Sequence, residues 1–277
     1  MTVNQALRDA AKRLQPTSPT ARLDAELLMA HALNVTRSDM LVRHMTCPTP
    51  PAFDGLVERR ATQEPVAYIL GSEEFYGLPF SVSPDVLIPR ADSEVLVESA
   101  LAIKPDAGTV LDCGTGSGAL LLAVLHHMPG ARGTGTDRSD AALSVAQANA
   151  VSFGLSERAD MVRADWNEPG WSDALAGPFD LVLANPPYVE TNADLEPCVR
   201  NFEPAGALFA GTEGLDAYRV LIPQIPALLS PGGAALVEIG STQAEAVATI
   251  AQRAGLLTSL LHDLANRPRA LHLSAAR

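Results

Sequence analysis

The four residues of this chain best suited to chemistry are Asn185-Pro186-Pro187-Tyr188. They follow a short apolar run, residues 179–184, of the kind a buried parallel strand shows. Neither proline can donate to a strand ladder, and Pro186 pushes Asn185 out of the helical region. The chain must therefore leave the sheet at Asn185 as a stiff, extended loop. It leaves at the carboxyl end of a strand, where open α/β sheets hold their ligands. Asn185 offers a carbonyl acceptor and an NH₂ donor, and the Pro186 carbonyl is a second acceptor with a fixed direction. Two acceptors side by side suit a planar NH₂ group, against whose face Tyr188 could lay its ring. An ordinary Asn-Pro turn is the alternative reading.

A second group of residues points to a cofactor. Asp112-Cys113-Gly114-Thr115-Gly116-Ser117-Gly118 ends one strand and opens a helix. Glycines there let the backbone turn tightly and come close to a ligand, and the helix start adds free N–H groups. The next strand ends in Asp137, whose carboxylate can accept from two ribose hydroxyls. Gly114, Gly116 and Ala119 also satisfy the pattern of dinucleotide enzymes, which Asp137 fits equally well. Asp112 separates the two cofactors. An extra carboxylate beside the loop suits the ammonium and sulfonium of S-adenosylmethionine better than a pyrophosphate. After the third strand, Asp165-Trp166 offers an acid for an adenine amino group and an indole to pack on the ring, with core filler the alternative for Trp166.

Positioning these groups takes alternating strands and helices. Strands are expected over 109–113, 132–137, 160–163, 179–184 and 234–239. Helices are expected over 119–127, 141–153, 215–229 and 243–254, and a closing antiparallel pair over 256–262 and 270–274. Such βαβ alternation implies a mostly parallel sheet covered on both faces. A helix over 93–103, capped by Asp92 or Ser93, precedes it. A hairpin is expected near 75–82. Residues 1–68 read as a small helical bundle in which Asp24 and Glu26 lie on the surface. The expected organisation is thus a helical domain at 1–68, a hairpin linker at 69–89 and an α/β domain at 90–277.

Composition limits the function classes. A net charge of −12 argues against a protein that gains affinity by neutralising a duplex. Cys47, Cys113 and Cys198 form neither a paired nor a metal-spaced pattern. His126-His127 lacks further ligands, so no metal is expected. No apolar run is long enough to span a membrane, and the first residues lack a signal-peptide core.

The glycine loop, Asp137, Asp165-Trp166 and the Asn-Pro-Pro-Tyr loop together resemble a class I S-adenosylmethionine-dependent methyltransferase, of the kind that methylates a planar NH₂ nitrogen. Three linker stretches, Glu64 to Gly71, Phe75 to Phe80 and Leu87-Ile88-Pro89-Arg90, resemble the release factor glutamine methyltransferase family. So do Asn201-Phe202-Glu203-Pro204 and Gly214-Leu215-Asp216-Ala217-Tyr218. The chain departs from the family at Ala91-Asp92-Ser93-Glu94 and at Asn266 and Pro268, neither expected to touch the two chemical motifs. The resemblance implies methyl transfer from S-adenosyl-L-methionine to the side-chain N5 of the glutamine in the Gly-Gly-Gln motif of class I peptide chain release factors. It implies a seven-stranded Rossmann-like sheet and a cytoplasmic monomer whose helical domain helps to hold the release factor; the acidic balance adds the expectation of no stable nucleic-acid binding. Asn185, Pro186 and Tyr188 would act on the substrate, with Pro187 beside them. Asp112, Gly114, Thr115, Gly116, Ser117, Gly118, Asp137, Asp165, Trp166 and Asn185 would hold the cofactor. Competing readings are a ribosomal-protein glutamine methyltransferase, an adenine-N6 DNA methyltransferase, an oxidoreductase using NAD, and a non-catalytic binding module.

Overall fold

Residues 181–184 present no polar side, so a strand there must be covered on both faces. In the computed structural model, which describes residues 1–275, it is. Leu181 and Leu183 join one core cluster, and Val182 and Ala184 join the other. A first helical set covers one face, with Leu96, Val97, Leu121 and Leu125 buried against the sheet. Ile225, Leu228, Val247 and Ala251 cover the opposite face.

Two strands come first in the chain, β1 (Ser72–Phe75) and β2 (Leu78–Ser81), forming a hairpin. Its turn residues Tyr76 and Gly77 have φ of 50° and 73°, the pair of left-handed residues that a tight hairpin turn uses. Seven strands follow: β3 (Thr109–Cys113), β4 (Arg132–Asp137), β5 (Ala159–Arg163), β6 (Phe179–Ala184), β7 (Leu229–Glu238), β8 (Leu256–His262) and β9 (Pro268–Ala275). They form one sheet in the order β5-β4-β3-β6-β7-β9-β8. β9 runs antiparallel to both of its neighbours, and the other pairings are parallel. The chain builds outward from β3 through β4 to β5, then returns to place β6 on the other side of β3. The order reverses between β3 and β6, which is where such sheets open a crevice.

Two segments differ from expectation. Residues 215–229 are not one helix. They break into Asp216–Leu221, a 3-10 turn Ile222–Gln224 and Ile225–Leu228, because Pro223 and Pro226 each remove an N–H from a continuous ladder. The helix Glu94–Ile103 has no side-chain cap, although Ser93 stands at its cap position. Asp92 pairs instead with Arg267 at 3.1 Å and Arg269 at 2.7 Å, and the partner of Ser93 is described below.

The chain divides into two compact units, residues 1–72 with 195–202, and residues 73–194 with 203–277. The first is helical, with Val3–Leu14, Ala21–Leu33 and Phe53–Ala61 packed through Leu7, Leu14, Leu28, Met29 and Phe53. Asp24 and Glu26 are not on its surface. They are 4% and 5% exposed. Asp24 pairs with Arg60 at 2.6 Å, and Glu26 pairs with Arg22 at 2.6 Å and Arg37 at 2.6 Å. One arginine of the same helix, Arg22, and two from elsewhere in the bundle, Arg37 and Arg60, let two carboxylates be buried on a helix whose sequence reads as solvated. Among the described residues no helix is long and apolar enough to cross a membrane.

Candidate active site

The register of the central strands brings the chemical motifs to one edge. Asp112 stands opposite both Gly135 and Leu183, and Cys113 opposite Thr136 and Ala184. The glycine loop, Asp137 and Asn185 therefore emerge side by side. A cavity of about 490 Å³ opens there, within the size range of small-molecule sites, and Asp112, Gly114, Thr115, Gly116, Ser117, Asp137, Asp165, Trp166, Asn185 and Pro187 all line it. Gly118 caps the following helix with φ 81°. Pro186 and Tyr188 belong to the same loop but do not line the cavity.

Asp112 is 1% exposed. It accepts from Thr115 Oγ1 at 2.7 Å. Burial pushes its carboxyl up to about 7; hydrogen bonds from Thr115 and the Leu121 backbone pull the other way, and the charge of Asp137 adds to the rise. Among the described residues no cationic side chain pairs with it. Asp137 organises the loop itself. Its Oδ2 accepts from Gly116 N at 3.1 Å and its Oδ1 from Ser139 N at 3.0 Å, which leaves each oxygen able to accept once more. Gly114 has φ 78°, and a Cβ there would meet Trp166 Cη2 at 3.0 Å, so the indole sits directly against the loop. Asp165 Oδ1 accepts from Asn167 N at 2.9 Å and Asn167 Nδ2 at 2.6 Å. Its second oxygen stays free of them. Cys113 is fully buried, and burial pushes its thiol far up, as for an inert core residue.

At the Asn-Pro-Pro-Tyr loop, Asn185 Nδ2 donates to Ser93 Oγ at 3.3 Å. Among the described residues nothing donates to Asn185 Oδ1 or to the Pro186 carbonyl. Ser93 is one of the residues at which the chain departs from its family pattern, so the expectation that this departure stays clear of the chemical motifs is overturned. The 3-10 turn Ala91–Ser93 aims the hydroxyl back at the sheet edge instead of along its own helix. Tyr188 Oη donates to Glu238 Oε1 at 3.3 Å, and burial followed by the nearby Glu238 charge holds its phenol well above the usual value.

Further residues shape the site without standing in any motif that spacing alone singles out. Gln243 Nε2 donates to the Tyr188 carbonyl at 3.1 Å and to the Gly214 carbonyl at 3.2 Å. Gly214 has φ 66°, and a Cβ there would lie 2.3 Å from the Tyr188 carbonyl oxygen, so only glycine lets the two loops meet. Glu203 is buried and accepts from Ile88 N at 3.2 Å and from Arg90. That contact joins the Ile-Pro-Arg stretch to Glu203-Pro204. Asn149 is fully buried and accepts from Ser81 N at 2.8 Å while donating to Ser81 O at 3.0 Å and Ser117 O at 2.8 Å. It ties the hairpin to the glycine loop. Glu238 had one visible signal, an acid closing the apolar run Ala234 to Val237. Ser93, Gln243 and Asn149 had none.

Comparison with known proteins shows the family. Residues 5–71 match the family model of the PrmC N-terminal domain, and residues 91–208 match the methyltransferase small domain. A release factor glutamine methyltransferase of Moorella thermoacetica is 43% identical, with 97% of each chain covered. One from Bradyrhizobium diazoefficiens is 41% identical over 97% of this chain and 93% of its own. The crystal structure of a methyltransferase from Pyrococcus furiosus shares the fold, with a TM-score of 0.53 at 15% identity over 78% of this chain and 97% of that one. The sheet order, the crevice at its switch point and relatives of this identity and coverage have one consequence: the chain belongs to the release factor glutamine methyltransferase family.

Proposed function

We propose that the protein transfers a methyl group from S-adenosylmethionine to the side-chain amide nitrogen of the glutamine in the Gly-Gly-Gln motif of class I peptide chain release factors. The observation that carries this reading is the pair of unused acceptors, Asn185 Oδ1 and the Pro186 carbonyl, at the carboxyl end of β6. An NH₂ group has two protons, and two rigid acceptors take both.

The residues present fit the cofactor. A buried carboxylate without a cationic partner, Asp112, suits an ammonium group. The lone pairs left on Asp137 suit ribose hydroxyls. Trp166, held against Gly114, and Asp165 border the space for an adenine, and the backbone of Thr115, Gly116, Ser117 and Gly118 turns around the ligand. When bound, S-adenosylmethionine supplies a methyl group activated by its sulfonium.

The chain's own part is to position and to exclude. An amide nitrogen is a poor nucleophile because its lone pair is delocalised. Asn185 Oδ1 and the Pro186 carbonyl would each accept one N–H, turning the lone pair toward the methyl carbon and favouring a pyramidal nitrogen. Tyr188, whose hydroxyl is anchored on Glu238, would border the amide plane, and Pro187 stiffens the loop. Alignment of this kind supplies at most about 7–11 kcal/mol of barrier reduction, and the two carbonyl dipoles stabilise positive charge growing on nitrogen. The methylated amide nitrogen is acidic enough to lose its proton without a dedicated base. The helical unit contributes to holding the release factor, and residues 1–68, 69–89 and 90–277 act as substrate-binding, linking and catalytic parts. The family resemblance supports a monomer. A substrate active in translation supports a cytoplasmic location, and the charge of −12 supports an absence of stable nucleic-acid binding.

The test is to incubate the chain with labelled cofactor and, separately, release factor, ribosomal proteins and DNA, then map the label by mass spectrometry. Label on the release factor glutamine is expected; label confined to a ribosomal protein or to adenine overturns the reading. Asn185→Ala should lower kcat by about two to four orders of magnitude while cofactor affinity changes little. Undiminished turnover removes Asn185 from its role.

A further inference from the structure

The connection from β5 to β6, residues 164–178, is built of turns and irregular chain, yet it carries Asp165 and Trp166, which line the cavity. A stretch of that length without a ladder of its own has to be held in place by side chains. It leaves the sheet beside β4, where Ala164 N donates to the Asp137 carbonyl at 3.0 Å. Beyond that point its backbone bonds are local turns, such as Glu168 N to the Asp165 carbonyl at 2.9 Å and Asp173 N to the Gly170 carbonyl at 3.0 Å. Among the described residues, every hydrogen bond by which residues 165–175 reach outside that stretch goes to one side chain, Gln224. Gln224 ends the 3-10 turn Ile222–Gln224 and stands at the cap position of Ile225–Leu228, where its side chain caps nothing. Its Oε1 accepts from Trp171 Nε1 at 2.6 Å. Its Nε2 donates to the Trp166 carbonyl at 3.1 Å and to the Val220 carbonyl at 2.7 Å. Trp171 is buried in the same core cluster as Phe179 and Leu228, and Val220 lines the cavity with Trp166.

The contacts have a direction. An indole N–H only donates, so Trp171 holds the Gln224 carbonyl toward itself and turns both amide protons to the two backbone carbonyls. The oxygen and each of the two protons of the amide then have a partner. We propose that Gln224 is a positioning residue of the cofactor site: by holding the Trp166 and Val220 carbonyls on one NH₂ group, it sets where the Trp166 indole stands against the adenine ring of S-adenosylmethionine. Gln224 is not part of the cavity lining, so it acts through the residues that it holds. The effect is large for a small shift, because a purine is rigid and a gap of about 0.5–1 Å between packed surfaces forfeits a quarter to a half of their attraction. With the amide gone, the Trp166 segment keeps its entry at Ala164 and its apolar anchor at Trp171, and the indole between them is free to move away. The inference rests on the reading of Trp166 as the surface on which adenine packs.

The test is a double-mutant cycle on cofactor affinity, read by calorimetry. The ligands are S-adenosylmethionine and 5′-methylthioadenosine, which keeps the adenine and lacks the amino acid end. Gln224→Leu, which neither donates nor accepts, should weaken both ligands by about tenfold. The KM for the cofactor should rise by the same factor, with kcat at saturating cofactor and release factor within about twofold of wild type. Trp166→Ala should weaken both ligands as well. Once that ring is gone Gln224 has nothing to position, so adding Gln224→Leu to Trp166→Ala should change Kd by no more than about twofold. A role confined to stability would lower the denaturation midpoint and leave the Kd of the folded protein unchanged. Gln224→Glu keeps the acceptor for Trp171 and loses both donors; it should give the same split, and it replaces the first variant should that one fail to fold. Wild-type affinity in these variants, or equal weakening with and without the Trp166 ring, overturns the proposal. Wild-type affinity in Trp166→Ala alone would instead sink the underlying reading of the adenine site, so the two failures are distinct.

Discussion

Replacing Asp112 with asparagine should stabilise the ligand-free protein and weaken its hold on the cofactor. The carboxyl is carried by burial from an ordinary 3.8 to about 7, a distance worth on the order of 4 kcal/mol at ~1.4 kcal/mol per pH unit. The sign is that of a raised acid. Below 3.8 the group is protonated folded and unfolded, and nothing is lost; the penalty grows as pH rises and is complete above about 7. Asparagine removes it. The amide oxygen still accepts from Thr115, but the new NH₂ is buried without an acceptor, which returns about 1–3 kcal/mol. The net gain above neutrality is about 1–3 kcal/mol, a rise of several degrees in Tm. The ammonium of the cofactor meanwhile loses a charged partner worth about 1.5–3 kcal/mol, or roughly 10- to 100-fold in Kd. For the same reason wild-type affinity should strengthen from acid to neutral pH and level off above about 7, where Asp112 is already ionised, and the variant's should stay flat. Denaturant melts of the ligand-free protein and calorimetric titration across this range read both effects. A variant that is less stable than wild type above neutrality, or that binds S-adenosylmethionine equally well, would refute the assignment.

Other positions give sharp outcomes. Gly214→Ala places a methyl 2.3 Å from the Tyr188 carbonyl at φ 66°; the left-handed backbone alone costs about 1–2 kcal/mol, and kcat should fall further than Tm accounts for, because the active loop is displaced. Gly114→Ala pushes Trp166 out of its place at 3.0 Å and should weaken cofactor binding at least about tenfold, with about 1–2 kcal/mol of stability also lost to the left-handed backbone, measured by tryptophan fluorescence, calorimetry and denaturant melts.

Some of this protein was written in its sequence. The strand β6 and its end were legible because an apolar run followed by two prolines has few backbone solutions. The glycine loop and Asp137 were legible because each occupies a fixed place in a βαβ unit, and the resemblance on those residues led to the family that the relatives show. The breaks at 216–228 were not read from the sequence: the apolar pattern suggests one helix over 215–229, although Pro223 and Pro226 mark where it fails.

What local sequence does not encode is which distant side chain a polar group meets. Asp24 and Glu26 look like a solvated face until Arg60 and Arg37 reach them from elsewhere in the bundle. Ser93 looks like a helix cap until the edge of β6 comes within 3.3 Å of it. Glu238 looks like a strand end until β9 seals it from water. Periodicity and backbone restriction act over a few residues and fix the elements. The partner of a buried polar group is fixed only when tertiary packing brings together residues 11 (Glu26 and Arg37) to 92 (Ser93 and Asn185) positions apart, since a carboxylate out of water must be hydrogen-bonded by whatever arrives.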